Sequence, residues 1–252
     1  MAEIITLYDI PSKLPNKAWS PNTWKARLAL NIKGLPYRTI WVEYPDIASV
    51  CKKLGAKPSG PPTPSGELLY GLPVIHDPKH NAVISNSIDI VRYLDDKYPE
   101  TVPLLPKGTD ALFEAFQEAY VRLALTHLYP LITLVTCNNL NSASEQYFRT
   151  GKQPQSGETF EEVAPKGAAR EELWKKKREG HEIIAGWFEK NGGGNFVMGK
   201  QISYADIILA AWLIWPRLEF GEGSEEWKAV LAWQGGWWAR YLAQFDQYLQ
   251  VI

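Results

Sequence analysis

Two periods alternate over the first hundred residues. Short apolar runs at residues 4–8, 37–42, 72–76 and 82–84 predict strands, whereas 23–33 and 87–97 repeat their apolar positions every three to four residues and predict helices. A strand, a helix and a strand in succession imply a right-handed crossover. The last two strands are separated only by the turn-rich residues 77–81, which implies a hairpin, and a covering helix follows. These elements make a small mixed sheet with helices on its faces. The Pro- and Gly-rich stretch 58–66 reads as loop, and from 98 to 107 prolines interrupt both periods. A linker there divides the chain into a domain over residues 1–99 and a second over 108–252. The second domain reads as helices almost throughout. Residues 111–134 and 168–190 carry helical spacing on either side of a polar insertion at 150–167. Ser203-Tyr204-Ala205-Asp206 has the form of a capping box, with Ile202 and Ile207 placed as its hydrophobic staple.

Composition narrows the function classes. The chain of 252 residues is 45% apolar and 22% charged, ordinary values for a soluble protein with ample core. A net charge of -1 with mixed signs gives no basic field for nucleic acid, and Lys175-Lys176-Lys177 reads as a solvated helix face. No stretch is expected to serve as a membrane span; the longest apolar run, 207–215, suits a buried helix. The first ten residues contain Glu3 and Asp9 and lack the charge pattern of a signal peptide. Cys51 and Cys137 have neither metal-ligand spacing nor a disulfide framework, so a reducing compartment, the cytoplasm, is expected, with no metal.

The candidate chemistry begins at Ser20-Pro21-Asn22-Thr23-Trp24, a hydroxyl at the threshold of the first helix. An N-cap serine followed by proline at the first helical position is common without chemistry. Two later motifs accompany it: Leu72-Pro73-Val74 and Ser85-Asn86-Ser87. In combination the chain resembles the glutathione transferase superfamily, with a thioredoxin-like N-terminal domain and an all-helical C-terminal domain. The run from Ser20 to Leu30, continuing to Lys33-Gly34, is similar to the etherase-related branch, which includes the fungal-specific A class. The resemblance implies that Leu72, before a cis Pro73, offers its backbone to the cysteinyl part of glutathione. It also implies that Asn86 and Ser87 receive the γ-glutamyl end. Asn86 lies where the family has an acidic or amide residue; where a member has an acid the ligand's ammonium gains a counter-charge, whereas the neutral Asn86 offers only its carbonyl. A homodimer and a glutathione co-substrate are further implications.

The physical chemistry is anion stabilisation. A free thiol with pKa near 8.5 is only a few per cent thiolate at neutral pH. A hydrogen bond to a charged group contributes about 1.5–3 kcal/mol and a helix N-terminus about 0.3–2, so Ser20 and its helix end would lower a bound thiol by roughly one to three pKa units. Relatives that reduce mixed disulfides carry cysteine at this turn, and the serine here favours attack by glutathione itself on an aromatic electrophile or an aryl ether. The second substrate is expected at an aromatic-lined site between the domains. Eleven tryptophans and twelve tyrosines supply candidates, of which Trp19, Trp24, Tyr120, Trp212 and Trp215 are singled out, although aromatic residues at helical spacing commonly just fill a core. Binding of aromatic or polyphenolic compounds with little turnover is the alternative function.

Overall fold

The computed structural model describes residues 4–63, 65–152 and 157–252, Lys152 by backbone alone. Pro64 in the predicted Pro-rich loop, 153–156 in the predicted insertion, and the first three residues lie outside the described residues. Contacts divide the chain into two compact units. The first comprises residues up to Leu105 together with Leu140–Tyr147 and Gln247–Ile252, and the second comprises Pro106–Asn139 and Phe148–Asp246.

The first unit is a four-stranded sheet in the order β2-β1-β3-β4, formed by β1 (Ile5–Asp9), β2 (Tyr37–Trp41), β3 (Val74–Asp77) and β4 (Ala82–Ser85). β1 pairs in parallel with β2, across the crossover helix α1 (Pro21–Ile32), and antiparallel with β3, which forms the expected hairpin with β4. Every residue of β1 is buried, as a central strand covered on both faces requires, and this is why its sequence does not alternate. The 12-residue α1 is likewise enclosed, with only Asn22 at the surface. The short helix α2 (Ile47–Leu54), which the sequence reading lacks, follows β2 and ends on Gly55 at φ +72°, the left-handed conformation that glycine adopts without strain. α3 (Ser87–Lys97) begins and ends where the pattern predicts.

The second unit is helical. α4 (Asp110–Tyr120) continues through a π-helical turn at Val121–Leu125 into α5 (Thr126–Asn139). By length and composition alone this 30-residue run could cross a membrane, a test that the core helix of a folded unit passes as well. Its Phe113, Leu125, Leu128, Leu131 and Ile132 are buried in the unit. α6 (Ser142–Lys152) begins in the part of the chain that belongs to the first unit and ends at the start of the predicted insertion, within which lies a four-residue helix, α7 (Phe160–Val163). α8 (Gly167–Lys190) packs on α5 and the π turn, and α9 (Tyr204–Phe220) and α10 (Glu225–Ala243) complete the bundle. Gly180 of α8 permits the closest approach: a Cβ there would stand 1.9 Å from the Leu123 carbonyl oxygen. The capping motif at the head of α9 forms as expected, the Asp206 carboxylate accepting from the Ser203 N–H at 2.9 Å and from its hydroxyl at 2.8 Å.

One reading of a charged run needs correction. Lys175 and Lys176 are on a solvated face, but Lys177 is wholly buried, with no hydrogen-bond partner for Nζ and the Trp233 ring 5.8 Å away. Lys177 lies in register with His181, Ile184 and Phe188, all buried, and therefore occupies a core position of an amphipathic helix.

Candidate functional site

At one end of the sheet three chain segments meet by register. β1 runs out at Asp9 into the loop that leads to Ser20. Val74 pairs with both Tyr8 and Ser85, so Leu72-Pro73 just before it and Asn86-Ser87 just after Ser85 lie side by side. The Leu72–Pro73 peptide is cis. Among the described residues, the Leu72 N–H and C=O take no part in a backbone hydrogen bond.

Ser20 is the N-cap of α1, with extended backbone (φ -64°, ψ 124°) and Pro21 at the first helical position. Its carbonyl accepts from the Trp24 N–H at 2.9 Å and from the Thr23 hydroxyl at 3.0 Å, whereas its own hydroxyl makes no capping bond. No acidic residue stands in the first turn, so the positive end of the helix is uncompensated there. The helix is locked to the sheet by Arg27, whose guanidinium meets the Asp9 carboxylate at 2.7 Å with both side chains fully buried. Arg27 also donates to the Tyr37 hydroxyl at 3.1 Å and to Thr39 at 3.2 Å. Further along α1, Asn31 donates to the carbonyls of Tyr248 and Gln250, which fastens the last residues to the same helix.

Asn86 caps α3 at φ +69°, ψ 136°, a conformation that side chains other than glycine's adopt at a cost of about 1–3 kcal/mol. Ser87 is the first residue of the helix, and Asp89 lies in its first turn. A cavity of about 700 Å³ opens beside Asn86, lined by Lys57, Pro58, Ser85, Asp89 and Arg92 among others. Ser85 donates to the Lys57 carbonyl at 2.8 Å and so holds the loop after α2 against β4. Lys57 and Asp89 bring opposite charges to this cavity. Neither is legible as a site residue in the sequence, where Lys57 adjoins a Pro-rich loop and Asp89 is one charge among several on α3.

The aromatic candidates divide between the units. Trp19 and Trp24 are buried in the first, Trp24 with the Arg27 guanidinium 5.7 Å from its ring. In the second unit Tyr120 is wholly enclosed against His181, and burial pushes its hydroxyl far above the usual tyrosine range. Trp212 and Trp215 on α9 are buried 5.6 Å apart, and Tyr129, 44% exposed, meets both edge-on. Trp215 donates to the Thr136 hydroxyl at 3.1 Å. Both cysteines are buried and neither is in a disulfide, and burial raises the Cys51 thiol above its ordinary pKa. Among the described residues no cluster of His, Cys, Asp and Glu is placed to hold a metal ion.

A thioredoxin-like sheet that carries a cis proline, a serine at the N-cap of its crossover helix and a helical domain after it define a class, and the chain belongs to the glutathione S-transferase family. Residues 19–97 match the family model of the N-terminal domain and residues 111–248 that of the C-terminal domain. Among solved structures the chain is similar to the Ceriporiopsis subvermispora glutathione S-transferase CsGST63524 in complex with glutathione, at 45% identity and TM-score 0.93 over 99% of both chains. It is also similar to glutathione transferase GSTFuA3 from Phanerochaete chrysosporium, at 39% identity and TM-score 0.93 over 100% of both. Among characterised sequences, the glutathione S-transferase-like protein ustS of Aspergillus flavus is 30% identical, covering 91% of this chain and 90% of its own. The expected kinship with fungal glutathione transferases is borne out.

Proposed function

We propose that this protein is a glutathione transferase in which the Ser20 hydroxyl and the N-terminus of α1 hold the glutathione thiolate for attack on a hydrophobic aromatic electrophile or an aryl ether. The observation that carries the reading is the Ser20 hydroxyl, which makes no capping bond at a helix N-terminus without a first-turn acid. A neutral donor and a helix end suffice to shift the thiol by roughly one to three pKa units. Leu72, with its backbone free beside the cis proline, pairs with the tripeptide as an added strand would. Ser87 and the α3 N-terminus receive the γ-glutamyl carboxylate, and Asn86, without an acid's counter-charge, offers its carbonyl to the ammonium. In the reaction the thiolate sulfur bonds to the electrophilic carbon, and the halide or aryloxide leaves with the bonding electron pair. The thiol proton has already passed to solvent.

Within the first unit Trp19, with Trp24 near it in sequence, is the aromatic candidate for the second substrate in this reading; Tyr120, Trp212 and Trp215 are the candidates of the second unit. The relative crystallised with glutathione supports the co-substrate. A homodimer in the cytoplasm is the proposed working state. The half-exposed Tyr129 over Trp212 and Trp215 favours a second reading, a glutathione-dependent carrier of aromatic or polyphenolic compounds with low turnover.

Replacing Ser20 by alanine is expected to lower turnover of a halonitroaromatic by tenfold or more, on the order of 1.4 kcal/mol, while glutathione affinity changes little. Ultraviolet titration of bound thiolate is expected to show the sulfur returning toward its free pKa in the variant. Unchanged turnover and unchanged thiolate titration would remove Ser20 from the mechanism; calorimetric uptake of aromatic ligands with no turnover of a halonitroaromatic or aryl ether would favour the carrier.

A further inference from the structure

Immediately before Ser20 a ladder of three rings begins within the first unit. The Trp19 ring lies 6.4 Å from that of Tyr44 at 47°, and Tyr44 lies 6.0 Å from Tyr147 in a nearly parallel stack, 9° between planes. Trp19 is buried, Tyr44 is half-buried and Tyr147 is 52% exposed, so the ladder climbs from beside the serine to the surface. A polar clamp holds residues about a hundred apart in this register. Ser144, fully buried, donates its hydroxyl to the Glu43 carboxylate; Asn141 donates to the other carboxylate oxygen at 2.8 Å, and the Tyr44 N–H donates to the Ser144 oxygen at 2.9 Å. The Lys13–Glu145 ion pair at 3.2 Å and a bridge between Ser12 and Leu140 bind the loop leading to Ser20 to the same segment. The clamp fixes a stacked pair yet leaves its outer ring half open, whereas rings serving only the core are enclosed.

We infer that the Trp19–Tyr44–Tyr147 ladder seats the planar ring of the second substrate, with Tyr147 as a specificity-determining residue and Glu43 and Ser144 as positioning residues. The inference rests on the glutathione-transferase reading, because Ser20 locates the reacting sulfur at the foot of the ladder. The occupant is an aromatic ring, because an offset-parallel tyrosine pair offers a further flat, polarisable face.

The test uses equilibrium binding, which needs no turnover. Calorimetry compares S-(2,4-dinitrophenyl)glutathione with S-methylglutathione on wild type, Tyr147→Ala and Tyr147→Phe. A lost ring-stacking contact is expected to weaken the aryl conjugate by about 2- to 10-fold in the alanine variant. The methyl conjugate should bind as before, and phenylalanine should restore the aryl affinity. Equal loss for both conjugates, or loss for neither, would overturn the ladder and leave the glutathione reading standing. Failure of the wild type to bind either conjugate would remove the glutathione reading and the ladder's role together.

Discussion

Lys177 is a charge placed where the fold has no water for it. Its amine is fully buried, is without a hydrogen-bond partner, and has burial as the cause of a pKa pushed down from 10.5 to about 7. The Trp233 ring 5.8 Å away offers some attraction to a cation. His181, whose Nδ1 donates to the Lys177 carbonyl at 2.8 Å, is itself held well below its usual pKa by burial and by the lysine. For a base whose folded pKa is depressed, the unfolded chain binds the extra proton between pH 7 and 10.5, so the stability of the fold rises with pH through that window and is lowest, and level, below it. The gap corresponds to about 5 kcal/mol as a ceiling. Methionine keeps the length of the lysine stem and deletes the charge, so Lys177→Met should stabilise the protein at neutral pH. At about 2–4 °C per kcal/mol for a chain of this size, a rise in Tm of roughly 10 °C is expected at pH 7. The difference from wild type should shrink as pH approaches 10. Thermal unfolding of both proteins followed by circular dichroism across pH 6 to 10 measures it. A variant no more stable than wild type at pH 7, or a difference independent of pH, would refute the reasoning.

Two other buried groups lend themselves to measurement. Glu219 has one carboxylate oxygen without a partner, while the other accepts from Asn139 at 2.7 Å, and burial raises its pKa to about 7. An acid with a raised folded pKa weakens the fold as pH climbs from 4.5 to about 7 and has a level cost above that, so Glu219→Gln should gain about 2–3 kcal/mol at pH 8 and little at pH 4, read from urea midpoints at the two pH values. Gly180→Ala would drive a methyl group into the Leu123 carbonyl and should cost about 3 kcal/mol or more, seen as a lowered unfolding midpoint; a neutral result would show that α8 and the π turn separate easily.

Much of the first unit was legible because its local signals agree. The Ser85-Asn86-Ser87 run starts α3 where the apolar period starts, and Pro21 does the same for α1. β1 begins at Ile5 and β3 at Val74, one or two residues later than the apolar runs, because apolar residues outside the ladder continue the hydrophobic pattern. α2 escaped notice because eight residues with only Ile47 and Cys51 buried give a weak stripe, although Gly55 marked its end. Lys177 was misread because a triplet of lysines suggests water, while its spacing to His181, Ile184 and Phe188 pointed inward. Ser20, Pro73 and Ser87 were visible as motifs. Tyr44 and Tyr147 were not, since a hydrogen-bond clamp between residues a hundred positions apart leaves no periodic trace.

The same clamp changes where this molecule can be cut. Glu43 is matched by Ser144 and Asn141, which the chain supplies only after α5, so a fragment ending at the proline linker would carry an orphaned carboxylate. Anyone grafting this sheet onto a foreign helical partner must transplant 140–147 with it, since the natural seam follows hydrogen bonds rather than chain order.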